Sequence, residues 1–144
     1  MVTSDFLKDV ARAFATLIQQ GLLFVVSSMY DAQAFGNAAV VLVGGNLRLR
    51  LIRDRSQVLA ELAFADRPDD WSSLQRVLRV ILGPASPPEG VVTTDEAALM
   101  VEKYYQQLQD ACSPGKVDAT RAKLIELEQQ AVRAFIDRAK GGRS

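Results

Sequence analysis

Arg48, Arg50, Arg53 and Arg55 fall within eight residues, and guanidinium forks clustered in this way can grip phosphate or carboxylate through paired hydrogen bonds. The run Leu47-Arg48-Leu49-Arg50-Leu51 alternates strictly, so a strand here sends its leucines to one face and Arg48 and Arg50 to the other. An anion or an acidic partner surface is the chemistry this arrangement predicts. The plainer reading is a solvated sheet face on which the arginines pair across strands with Glu61 and lay their long stems over apolar neighbours.

The other reactive residue types are sparse. Asp54, Asp66, Asp69 and Asp70, with Glu61, could gather where a strand meets a helix. Their spacing matches neither an EF-hand loop nor a paired-carboxylate motif, and turn and cap chemistry accounts for most of them. Histidine is absent, which removes triads with an imidazole base, HExxH zinc sites and Cys/His fingers. Gly44-Gly45 lacks the lysine and Ser/Thr of a phosphate-binding loop. Ser27 and Ser28 have no elbow motif around them, and Cys112 lies near a helix end, where a thiol is more often filler. No catalytic residue, metal or cofactor is expected. Trp71 and Tyr104 fall on apolar stripes and are expected in the core, whereas Tyr105 points elsewhere and is a candidate contact for a partner.

These residues need elements to hold them. Phe6, Leu7, Val10, Phe14, Leu17 and Ile18 recur at helical intervals over residues 4–20, and Gly21 is placed to stop that helix. Residues 21–30, rich in β-branched and aromatic types, read as a buried strand. A second strand over 38–43 turns through Gly44-Gly45-Asn46 into the arginine strand, and Asp54-Arg55-Ser56-Gln57 turns that into a fourth in which Val58, Ala60, Leu62 and Phe64 share a face. Such short connections require antiparallel pairing.

Asp66-Arg67-Pro68-Asp69-Asp70 resembles a helix start, with Trp71, Leu74, Val77, Leu78 and Ile81 as the stripe and Gly83-Pro84 as the end. Pro84, Pro87 and Pro88 predict a stiff, extended connection over 84–92. Thr93 and Glu96 have capping-box spacing before a helix marked by Ala97, Met100, Val101, Tyr104, Leu108 and Ala111. After Ser113-Pro114-Gly115-Lys116, Asp118 can cap a last helix bearing Leu124, Leu127, Ala131 and Phe135, with Ile125, Val132 and Ile136 beside them.

The expected fold class is therefore α+β: an N-terminal helix, a four-stranded antiparallel meander sheet, then three helices, the last two an antiparallel hairpin. One domain spans 1–144, with an α-ββββ-α core over 1–83, the proline-rich connection over 84–92 and the helical hairpin over 93–140. Chain length alone permits a core without disulfide or metal. Seventeen basic residues balance seventeen acidic ones, so no overall field draws the molecule to nucleic acid or membrane, and neither is an expected partner. A single cysteine and the lack of a secretory or membrane-spanning pattern make the cytoplasm the expected location.

Phe35-Gly36-Asn37, Leu47-Arg48-Leu49-Arg50, Asp54-Arg55-Ser56-Gln57 and Trp71 together resemble a pattern in small bacterial proteins of the polymorphic-toxin immunity type, over roughly the first eighty residues. The resemblance implies a protein that neutralises a toxin domain by direct binding, which needs a complementary surface and no catalysis. The partner expected is thus another protein, met through Arg48, Arg50, Arg53, Arg55, Glu61 and Tyr105. Two other expectations stand beside it: a phosphate or small-ligand site built from the arginine strand, and a homodimer formed through residues 93–140.

Overall fold

The computed structural model describes residues 5–31, 33 and 37–141; Phe35 and Gly36 of the immunity-like pattern lie outside them. The first helix forms as two segments, α1 (Asp5–Ala13) and α2 (Ala15–Gln19). Hydrogen bonds from Phe14 N to Val10 O and from Ile18 N to Phe14 O cross the junction, so it is a bend at Phe14 and not a break. Phe6, Val10, Phe14 and Leu17 are all buried along one side. Gly21, at φ +72, ends the helix while Leu22 N reaches back to Leu17 O and Gly21 N to Ile18 O, the paired bonds of a glycine-terminated helix.

Five antiparallel strands follow in meander order: β1 (Phe24–Asp31), β2 (Asn37–Gly44), β3 (Leu47–Asp54), β4 (Gln57–Phe64) and β5 (Ser72–Ser73). The alternation read in β3 holds, with Leu47, Leu49 and Leu51 buried and Arg48 and Arg50 on the far side. Ala60, Leu62 and Phe64 bury the same face of β4, and Ala38, Val40 and Leu42 that of β2. A period of two with one buried face fixes register, since a slip of one residue would bring Arg50 into the core.

Two tight turns set that register. Gly45, at φ +55, takes the first central place between β2 and β3, where a mirror-image turn calls for glycine. Between β3 and β4, Arg55 and Ser56 sit at φ 51 and 72, the left-handed region that costs a side-chain-bearing residue roughly 1–2 kcal/mol. Asn37 Oδ1 accepts the Arg55 amide at 3.2 Å and supports the turn. Ser56→Gly should raise stability by about 0.5–1 kcal/mol, since relief of the left-handed strain outweighs the extra freedom glycine adds to the unfolded chain. Urea denaturation will show this as a higher midpoint at unchanged slope; a lower midpoint would mean that Ser56 makes contacts worth more than the strain.

The fifth strand corrects the expected four. Residues placed in a helix start instead form a loop, and Ser72 and Ser73 pair with Leu62 and Glu61 of β4. The helix α3 (Leu74–Leu82) begins only where the Ser73 hydroxyl accepts Arg76 N, so the serine cap overrides the proline and carboxylate signal upstream. Trp71 consequently lies off the helix and outside its stripe. Leu74, Val77 and Leu78 remain the buried side.

The proline-rich connection opens with a 3-10 turn (Gly83–Ala85) and is pinned to the rest of the molecule. Val92 N donates to Val58 O at 3.0 Å, Gln75 Nε2 donates to Gly90 O at 3.1 Å, and Arg76 pairs with Glu89 at 3.0 Å. Helix α4 (Thr94–Ala111) starts with the expected capping box between Thr93 and Glu96. It buries Ala97, Ala98, Val101 and Leu108 in the same core as the sheet and α1.

Helix α5 (Val117–Gly141) departs from the expected hairpin. The Thr120 hydroxyl donates to Ala111 O at 2.7 Å, anchoring the first turn of α5 to the end of α4, but the helix then packs on α3 and not back along α4. The reason is the placing of apolar groups: α4 spends its stripe on the sheet, which leaves Leu124 of α5 to join the core beside α3. From residue 129 to residue 141 every residue of α5 is exposed. Among the described residues no helix is long and apolar enough to cross a membrane.

Candidate protein-binding surface

The helices cover one face of the sheet, so the opposite face and the sheet edges are where a ligand or partner could meet it. On that outer face Arg48 and Arg50 converge on Trp71. The Arg50 guanidinium lies 4.5 Å from the ring centroid and that of Arg48 5.7 Å, within the range of cation–π attraction. Arg50 also donates through Nε and Nη2 to Glu61 Oε1 at 2.8 and 2.7 Å, and Arg48 Nε donates to Pro68 O at 3.2 Å. Register explains the pairing, because Arg50 and Glu61 are direct cross-strand neighbours. The loop before β5 thereby folds over the middle of the outer face.

The remaining candidates lie elsewhere. Arg53 pairs in register with Ala38 and Val58, and its guanidinium sits 5.2 Å from the Phe6 ring on the helical side. The parity of the strand decides this: an odd step from Arg50 changes face. Arg55 belongs to the β3–β4 turn. The four arginines therefore do not line one pocket. Tyr105 faces inward, its hydroxyl donating to Leu22 O at 3.0 Å.

Tyr105 belongs to a polar lock that local sequence patterns do not announce. Gln109 Nε2 donates to Gly44 O at 2.8 Å and to the Tyr105 hydroxyl at 3.0 Å, while Gln109 Oε1 accepts Asn46 N at 2.8 Å. Asn46 Nδ2 in turn donates to Gln109 O at 3.2 Å. One glutamine thus ties the β2–β3 turn to α4 across 63 residues of chain. The only hint available in sequence is that Tyr105 and Gln109 are four apart, on one helical face.

The acidic residues do not gather either. Asp66 pairs with Arg121 at 2.5 Å and Glu61 with Arg50, and among the described residues no three His, Cys, Asp or Glu side chains converge as metal ligands. Arg121, missed in the sequence reading, also stacks 5.2 Å from the Phe64 ring and pins α5 to the end of β4. Cys112 is buried, and desolvation pushes its thiol up to about 12, so it is no nucleophile at neutral pH. Half-buried Asp9 is held below the usual carboxylate range chiefly by its hydrogen bond from Arg12, with Thr94 and the charge of Arg53 adding to the effect.

What is left uncovered is β1. Expected as a buried strand, it is exposed at all eight positions, including Phe24, Val25, Val26, Met29 and Tyr30. Among the described residues it occupies the end of the sheet and pairs only with β2. The helical layer stops at β2, so Val25 and Tyr30, which share register with the buried Leu42 and Ala38, have no helix above them. An apolar run cannot tell a central strand from an edge strand; the width of the covering layer decides. On the outer side Met29, Ala39, Ile52 and Arg50 line a shallow groove of about 330 Å³ that runs from β1 onto the sheet.

Comparison of the chain with protein-family models, curated proteins and solved structures finds no match.

Proposed function

We propose that this chain is a non-catalytic protein-binding module that accepts an extended segment of another protein along the free edge of β1. One observation carries the reading: β1 bears five large apolar side chains, is exposed along its whole length and, among the described residues, is hydrogen-bonded to β2 alone. Natural edges are usually blunted by lysine, proline or covering loops because an open edge is a template for pairing. Phe24–Asp31 contains neither lysine nor proline. Added strands gain affinity from main-chain hydrogen bonds and specificity from alternate side chains, and the groove beside Met29 offers a place for such a side chain.

The finer reading is an immunity-type protein, in which the segment bound belongs to a toxin domain and binding suppresses its activity. The arginine cluster supports a phosphate-binding role less well, since Arg48 and Arg50 already contact Trp71, Glu61 and Pro68. Co-expression with the product of a neighbouring toxin gene tests the proposal. The wild-type chain should co-purify with that product and protect the host, and Met29→Lys with Val26→Lys should weaken the complex by about 100-fold without changing the melting temperature. A complex indifferent to both lysines, or a chain that neither binds nor protects, rules the reading out.

A further inference from the structure

The second half of α5 is a different kind of surface. Val132, Phe135 and Ile136 are 58%, 68% and 44% exposed, and Ile125 is 46% exposed. Ile125, Val132 and Ile136, at i, i+7 and i+11, form one line along the helix, rotated away from the line of Leu124 that meets the core. Phe135, at i+11 from Leu124, continues the line of Leu124. A helix segment as short as 129–141, exposed at every residue, gains little stability from burial. Its apolar residues nevertheless share one side, as a helix that is meant to be covered requires.

We infer that a second copy of this chain covers this stripe, the two α5 helices running antiparallel about a two-fold axis near Val132. The distribution of charge selects both the occupant and its direction. Over residues 124–140, the stretch that would pair, Glu126 and Glu128 stand before Val132, whereas Arg133, Arg138 and Lys140 stand after it, with Asp137 the one acidic residue among them. Glu128 already lies within 3.5 Å of the Ser72 hydroxyl of its own chain. Antiparallel pairing sets Glu126 near Lys140 of the other copy, both on the same flank of the stripe, Val132 against itself and Ile125 against Ala139. Parallel pairing would instead set Glu126, on one flank of the stripe, beside Glu128 of the other copy, on the opposite flank, which like-charge repulsion disfavours. Opposed helix dipoles favour the same direction.

The contact is small. A paired length of about 25 Å at one helix width falls short of the roughly 800 Å² that each partner gives to a standard interface, so association in the micromolar range is expected. The inference is independent of the proposed use of β1, which lies at the sheet edge away from α5, and the two fail separately.

Sedimentation of the full chain between about 1 and 200 µM should show a monomer–dimer equilibrium, and Val132→Glu should leave a monomer of unchanged helical content. Glu126→Arg should weaken the dimer by about tenfold, and adding Lys140→Glu should restore it. Oxidative cross-linking reads the direction. Val132→Cys should form a disulfide with its own copy, while Ile125→Cys, about 20 Å from its counterpart in the antiparallel arrangement, should not; the buried Cys112 stays silent in both. A chain monomeric throughout, a cysteine at 125 that cross-links as readily as one at 132, or a dimer that survives Val132→Glu and is lost with Met29→Lys overturns the inference, the last by assigning self-association to β1.

Discussion

Gly44→Ala is expected to lower the unfolding free energy by about 3–5 kcal/mol, the range reserved for substitutions that force backbone apart in a packed region. A β-carbon on Gly44 would stand 1.8 Å from the Leu22 carbonyl oxygen and 2.9 Å from its carbon. Neither atom belongs to a flexible side chain. The Leu22 oxygen is also held in place, because Tyr105 donates to it, and the carbonyl of Gly44 itself accepts from Gln109. Relief of the clash must therefore break the polar lock between the β2–β3 turn and α4 or shift the entry to β1. Gly45→Ala is the informative control. Its added carbon would meet only the end of the Gln109 side chain, at 2.5 Å, at a backbone φ of +55, so a loss of about 1–2 kcal/mol is expected. Paired urea titrations distinguish the two, and equal losses would show that the turn conformation, not the close approach, is what Gly44 serves.

That glycine illustrates where sequence reading stops. Gly44-Gly45-Asn46 is legible as a turn, because glycine reaches a left-handed backbone without steric penalty. The close approach of Leu22 to Gly44 is not legible, because it depends on how the end of α2 crosses the sheet. The same division runs through the whole chain. The leucine–arginine alternation of β3, the capping box at Thr93 and Glu96 and the stripe of α1 all rest on periods within one element, and each forms as read. The start of α3 goes astray because two local signals compete, and the ladder from Ser72 and Ser73 to β4, a tertiary contact, settles it in favour of Ser73.

The candidate surface is harder still to read, since exposure is a property of layers. Residues 24–30 have the composition of a buried strand, and only the breadth of the helical layer leaves them open. Likewise Ile125, Val132 and Ile136 look like a second core stripe until α5 outruns the body of α3. Arg53 could be assigned to the helical side from parity alone, given the register of Arg50. Gln109 and Arg121 could not be picked out, as their partners are 63 and 55 residues distant.

Rigid and open regions are thereby segregated. The turn between β2 and β3 is tied to α4, the outer face is gripped at its middle by Trp71, and the connection before α4 is fastened at Val92 and Glu89. β1 and the far half of α5 carry none of these ties. If β1 binds a segment as proposed, a frame tied in this way adds little entropic cost beyond that of the strand itself.

Trp71→Ala should cost about 2–3 kcal/mol, more than its partial burial alone would suggest, because the ring holds two guanidinium groups over the sheet. Removing it leaves Arg50 with Glu61 but without the apolar surface on which its stem and fork lie flat. Arg50→Ala should cost about 1–2 kcal/mol, as Glu61, mostly buried beside Arg50, loses both of the hydrogen bonds that Arg50 gives it. The double variant should lose about 1 kcal/mol less than the sum of the two, the coupling expected of one guanidinium stacked on one ring. Strict additivity would mean that Trp71 acts only by covering the face. Trp71 is the sole tryptophan, so its emission reports the same contact directly. Inorganic phosphate should leave that emission unchanged, since Arg50 and Arg48 are already engaged, and a saturable change on adding phosphate would return the arginine strand to the role of an anion site.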